Sequence, residues 1–287
     1  MPGPENTGVI HDIGYQRYEG PRLGRGYASR SLFVHSVRGA YGLGRSAWAK
    51  VLPFGLTALA CMAALVLVVV NTQLSVQVID YVGIASTFTY AATVFVAIVA
   101  PELVSTDLRG NVLSLYLSRP LRRSDYALTK LAALAAASFA MLAAPMLILF
   151  LGMAFSTDDG LSGVFAEVGG LLQGLLAGAI HAIVLAALAL PFAALTGRRV
   201  FATGMIVAVS LLTAPVSGAL MAFSTGDAAY LAGLINPVSL VNGIDRWLFD
   251  GGTVDVGSYG LVYGLVALVV VAIGTACTVW RYRRVQA

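Results

Sequence analysis

Few side chains in this sequence can do chemistry, and their spacing limits what that chemistry is. The three histidines, His11, His35 and His181, are dispersed, and none has a second metal ligand at helical spacing. Cys61 and Cys277 stand inside long apolar runs, without the paired spacing of a metal site or a secreted disulfide scaffold. Both read as small packing or lipid-side residues. A phosphate-cradling loop needs Gly-x-x-x-x-Gly-Lys-Ser/Thr, so that backbone amides and a lysine surround the anion. Lys50 and Lys130, the two lysines of the chain, close no such loop, so if ATP drives this protein another polypeptide must bind it. Ser217 and His181 suggest a nucleophile and a base only in that both exist; no glycine stands two residues before the serine.

The residues that would position any such groups are overwhelmingly apolar. The apolar set makes up 58% of the 287 residues and charged residues 11%, with mean hydropathy +0.83. Soluble domains carry about 25% charged residues, so most of this chain's surface must face lipid rather than water. The net charge of +4 does not point to nucleic acid, which needs a basic face on a folded domain. Here the basic residues fall between apolar runs and read as topology signals, and no nucleic-acid partner is expected.

Crossing a bilayer core takes about 20 apolar residues in a helix. Six segments qualify: 51–70, 81–100, 131–155, 168–196, 200–223 and 259–280. The fourth is longer than needed and is expected to tilt, or to break near Pro191. Segments 1–50, 101–130, 197–199 and 281–287 hold 7, 5, 2 and 3 basic residues, whereas the alternate segments hold 0, 0 and 1, the one being Arg246. That bias predicts both termini in the cytoplasm of a bacterial cell, and a multi-pass protein of its inner membrane. The expected fold is therefore all-α: six transmembrane helices, N-in and C-in.

Outside the spans, residues 1–27 are rich in Gly, Pro and charge and read as an extended tail. The first fifty residues hold no cleavable leader, so the first span is expected to be retained as an anchor. Residues 28–50 interleave Leu32, Phe33, Val37, Tyr41 and Trp48 with Arg30, Arg38, Arg45 and Lys50, which predicts an amphipathic helix along the cytoplasmic interface. The six-span domain then occupies 51–287. Within it, the cytoplasmic loop 101–130 has an apolar side for a short helix, a stop at Arg119-Pro120, and Ser124 as an N-cap for the third span. The outer segment 224–258 is too long for a turn and suggests a re-entrant or interfacial helix pair.

Polar residues within spans need a reason. The second span carries Thr87, Thr89, Tyr90 and Thr93 beside Ser86, and the fourth carries Gln173 and His181. These are candidates for a translocation path, or for interhelical hydrogen bonds. Gly170, Gly174 and Gly178, at four-residue spacing, suit close helix packing.

The run LSLYLSRPLRRSDYALTK resembles the first cytoplasmic loop of ABC-2 type permeases. In that family a charged helix, a glycine and an apolar stretch lead to Arg-Pro, a basic residue and an aromatic before the third span. The matching positions here are Asp107, Arg109, Gly110, Leu113, Leu117, Arg119, Pro120, Arg123 and Tyr126. The six-span plan, the helix before the first span and the long outer segment before the last are similar too, and the N-terminal IHDIGYQRYEGPRLGRGY resembles openings of actinobacterial members. The resemblance implies a type V exporter-like system. Two permeases, copies or paralogues, join two ATP-binding subunits that carry ATP and Mg²⁺, with no cofactor on this chain. It also implies that loop 101–130 is a coupling helix seated on the ATPase, through Glu102, Asp107, Arg109, Arg119, Pro120, Arg122, Arg123 and Tyr126. The chain itself would then be a transport subunit and not an enzyme.

Two other readings compete. A six-span transporter driven by an ion gradient should bury ionisable relay groups at mid-membrane. His181 is the candidate inside a span, and no Asp or Glu lies in the spans. A membrane-embedded enzyme would need a paired acid, base or metal cluster, which the spacing does not supply.

Overall fold

The computed structural model describes residues 20, 23–74, 78–109, 121–156, 160–196 and 198–284. Among them every regular element is helical. In order these are α1 (Arg25–Ala40), α2 (Ala47–Leu74), α3 (Tyr81–Arg109), α4 (Arg123–Ser156), α5 (Gly160–Thr196), α6 (Arg199–Phe223), α7 (Asp227–Leu231), a 3₁₀ turn (Ala232–Ile235), α8 (Pro237–Phe249) and α9 (Gly260–Arg284). Six of them, α2 to α6 and α9, are long and apolar enough to cross a membrane, with α3 counted to Val104. This is the plan of a multi-pass membrane protein.

Several boundaries differ from the sequence reading. The first helix covers 25–40 rather than 28–50, because the chain turns at Tyr41–Ser46 and α2 starts at Ala47. Gly42 makes that turn at φ +67°, and a Cβ there would sit 2.6 Å from the Ala49 carbonyl oxygen. Helix α4 starts at Arg123, so Ser124 lies inside it instead of capping it. The Asp125 carboxylate accepts from the Arg122 backbone N–H at 3.2 Å in its place. Helix α5 runs unbroken through Pro191.

Helices α3, α4 and α5 form the interior, each with more than half of its apolar window buried, while α2, α6 and α9 keep most of theirs exposed. Small residues let the inner helices approach. A Cβ on Gly174 would fall 2.6 Å from Tyr81 Cβ and 2.9 Å from its backbone, and one on Gly170 would meet the Tyr81 ring. Gly178 has more room, with Met146 Cε 3.5 Å away. On the other side of α5, Gly274 of α9 crosses so closely that a Cβ would lie 2.1 Å from the Ala187 carbonyl oxygen.

One end of the bundle gathers the basic residues. Arg25 of α1 pairs with Asp125 of α4, and Arg45 and Arg199 both pair with Glu102 of α3. Arg123 donates to the Arg283 carbonyl at 2.8 Å, and Arg281 to the Ala194 carbonyl at 3.3 Å. Tyr41 donates to the Ala137 carbonyl at 2.9 Å, and burial pushes its hydroxyl pKa up to about 12, so it stays a donor. The opposite end is closed by α7, the 3₁₀ turn and α8, which fold back onto the spans.

Candidate functional site

The helical pair at that opposite end brings one ionisable group into the bundle. Asn236 caps α8, its side-chain oxygen accepting from Val238 N–H and Ser239 N–H at 2.9 and 3.0 Å, with Pro237 at the first helical position. Its amide nitrogen donates to the Ser210 carbonyl and Thr213 Oγ1 of α6, at 2.8 and 2.9 Å. With that end pinned, Val238, Val241 and Asp245, spaced by three and four residues, share the buried face. At the far end Gly252, at φ +82°, lies against the Asn242 carbonyl and Asp245 Cβ, where a side chain would not fit. Trp247 lies on Gly260 and Gly264 of α9, and Tyr263 donates to the Tyr230 carbonyl at 2.6 Å. Asp245 is thereby held inside the protein with no exposed surface.

Its partner is His181 of α5, with Nε2 2.8 Å from Asp245 Oδ2. Ser86 of α3 donates to the same Oδ2 at 2.9 Å. The other ring nitrogen, Nδ1, is 2.9 Å from Thr89 Oγ1, whose own proton goes to the Ala85 carbonyl at 2.7 Å. Thr89 must therefore accept, and Nδ1 carries a hydrogen. That leaves one proton on the line between Nε2 and Oδ2, either as imidazolium and carboxylate or as imidazole and carboxylic acid. Asp245 Oδ1 has no hydrogen-bond partner, nor does Asn242 Oδ1 one turn earlier, although both atoms are buried. The arrangement can hold a proton in the buried interior and lock the helical pair onto α3 and α5. Among the described residues no group of three His, Cys, Asp or Glu could hold a metal.

Comparison with protein-family models and with curated proteins found no match. Chemical assignment rests on the residues themselves.

The polar residues of the spans divide by face. Ser86, Thr89, Thr93 and His181 are buried, whereas Thr87, Tyr90 and Gln173 are exposed on the outside of the bundle and do not join them. Both ring nitrogens of His181 are engaged, and Ser217 donates to the Ala232 carbonyl at 2.9 Å, so the two make no nucleophile–base pair.

Asp245 corrects the expectation that no acid lies among the spans. It comes from the outer segment, which joins the bundle instead of resting on it. The signal was its place on the apolar face of INPVSLVNGIDRWLFD, where a charge must be paired.

At the basic end, Glu102 bridges two arginines, and Arg123 ties α4 to α9. Tyr126 is buried, edge-on to Tyr282 with ring centroids 5.1 Å apart, and Lys130 Nζ lies 5.4 Å from its centroid. Arg122 is exposed. Asp107 and Arg109 fall on the last turns of α3, their side chains outside the described part, and Arg119 and Pro120 lie outside the described residues.

Proposed function

We propose that this chain is the permease subunit of an ATP-driven transporter of the ABC-2 type, an exporter in a bacterial inner membrane with both termini cytoplasmic. The observation that carries the reading is the assembly of the basic end. Glu102, at the root of the predicted coupling segment, is clamped between Arg45 before the first span and Arg199 at the start of the fifth. A segment that transmits movement from a nucleotide-binding partner needs such a rigid seat, because force on it must reach several helices together. In this reading the ATPase carries ATP and Mg²⁺ and docks on 102–123. The buried face around Thr89, Thr93 and His181 borders the substrate path. The broad apolar faces of α2, α6 and α9 meet lipid and a second permease, a copy or a paralogue.

The test is reconstitution. The chain is co-expressed with an ATPase subunit encoded beside it, and transport and ATP hydrolysis are followed in liposomes. Coupled turnover that needs both proteins supports the reading; transport by the chain alone, without ATP, overturns it.

A second reading, a transporter driven by a proton gradient, is favoured by the His181–Asp245 pair, since buried ionisable pairs within spans serve as proton relays. Transport abolished by a protonophore and indifferent to ATP would select it.

A further inference from the structure

Of the polar side-chain atoms in the His181–Asp245 pair, all but one are engaged. Nδ1 meets Thr89, while Nε2 and Ser86 both meet Oδ2. The remaining atom, Asp245 Oδ1, has no partner. One turn earlier on the buried face of α8, Asn242 Oδ1 has none either. Both are acceptors inside the protein, so what completes them is a donor or a positive charge. Neither oxygen has appreciable accessible surface, and a water or metal ion beside them would need room that a proton does not.

The two sides of the pair differ in how a proton can reach it. Towards the basic end, Thr89 donates its own proton to the Ala85 carbonyl, and Thr93, one turn on, donates to the Thr89 carbonyl at 2.9 Å. Hydroxyls that donate to backbone carbonyls pass no proton onward. Towards the α8 end stands Asn242, which keeps 6% of its surface exposed where Asp245 keeps none. Among the described residues, no acid or base of the neighbouring elements at this end bonds Asp245 apart from His181. Asp80, just before α3, accepts from Gly83 N–H, and Tyr81 of α3 donates to Glu167 of α5. Arg246 of α8 donates to the Asp250 carbonyl, and Tyr263 of α9 to the Tyr230 carbonyl.

We infer that Asp245 Oδ1 is a proton-binding site addressed from the α8 end of the bundle, and that filling it loosens α8 from α5. The pair as it stands carries one proton between Nε2 and Oδ2 and is neutral overall. A proton arriving at Oδ1 is shared with Asn242 Oδ1, and the proton on the line settles on Nε2, which gives an imidazolium beside a carboxylic acid. The site gains one positive charge and loses nothing. That charge is buried without a counter-charge, whereas water solvates it once α8 lifts, so proton uptake favours the lifted position. Asn236 pins the start of α8 to α6, so the end that lifts is the one carrying Asp245. By linkage, the ratio of lifted to seated α8 grows by up to about tenfold for each pH unit of acidification. The pair is then a sensor of pH on one side of the membrane, since a relay needs a route to both. The inference holds for either orientation of the chain and however transport is powered.

The test uses the full-length protein lacking Cys61 and Cys277, with a nitroxide on Leu248→Cys, in liposomes whose inner and outer pH are set separately. Leu248 is 47% exposed on α8, so the label reports the seating of that helix without entering the core. An impermeant reductant erases the label on molecules whose α8 end faces outward, so each orientation is read by itself. Lowering the pH on the α8 side should raise nitroxide mobility, and lowering it on the far side should not. Asp245→Asn, which cannot take the proton, should make mobility independent of pH. Asn242→Leu should weaken proton uptake by roughly tenfold, the worth of one hydrogen bond, and it serves as the test even if Asp245→Asn fails to insert. A response to pH on the far side, or on both sides, would make the pair a relay and overturn the one-sided assignment. Mobility that ignores pH on both sides would remove the site, as would a response left unchanged by Asp245→Asn or by Asn242→Leu.

Discussion

His181 Nε2 and Asp245 Oδ2 lie 2.8 Å apart, both side chains fully buried, and they join α5 to a helix 64 residues further along the chain. The pair ties α8 to α5, and Ser86 ties it to α3 through the same Oδ2. Removing one member leaves the other buried with only a hydroxyl neighbour, Ser86 for Asp245 and Thr89 for His181.

Asp245→Ala and His181→Ala should accordingly each lower stability by about 3–5 kcal/mol, while the two substitutions together should cost clearly less than their sum. Thermal melting of the four proteins in one detergent gives the coupling between the sites. Additive losses would mean that the two side chains do not act as a unit.

The close crossings on α5 predict a graded response at three glycines. Gly174→Ala and Gly274→Ala put a Cβ within 3 Å of backbone atoms and should destabilise by about 1–3 kcal/mol. Gly178→Ala meets nothing nearer than 3.5 Å and should be close to neutral. Equal melting temperatures for the three variants would contradict the closeness of these crossings.

The proposed orientation rests on the seventeen-to-one distribution of basic residues along the sequence. In a variant lacking Cys61 and Cys277, a cysteine at Thr253 should react with an impermeant maleimide from outside sealed cells, and one at Ser124 should not. Reaction at 124 from outside would invert the topology.

Coupling is tested by reversing Asp107, Arg109 and Arg119 together. Insertion should persist, since the six apolar runs are unchanged and the overall charge bias keeps its sign. ATPase binding, or the link between hydrolysis and transport, should be lost, because truncating one member of a buried charged pair costs about 2–5 kcal/mol. Normal assembly and coupled turnover in the triple variant would remove the support for a coupling role.

Glu102→Gln separates the seat from that contact. It deprives Arg45 and Arg199 of their shared carboxylate, and each pair is partly exposed, so the stability cost should stay near 1 kcal/mol or below. A variant that melts almost normally yet couples poorly would place the role of Glu102 in transmission. One that melts far lower would make it a structural fastener.

The sequence by itself determined the six spans and the end that collects positive charge. Whether a segment can lie in lipid depends on its own length and hydropathy, and the apolar runs carry that information locally: the sixth run, 259–280, became Gly260–Arg284. The family resemblance of loop 101–130 was likewise a local reading. Which polar residues meet was decided by tertiary structure alone. Thr87 and Thr89 are two residues apart with similar side chains, yet α3 is rotated so that Thr89 faces His181 and Thr87 faces outward. That rotation depends on how closely Tyr81 settles on Gly170 and Gly174, a property of two helices at once. Asp245 stood in an outer loop by hydropathy and became the partner of His181 because Asn236 anchors α8 to α6 and turns its apolar face inward. Contacts between distant positions follow from the packing of whole helices, and no local pattern encodes them.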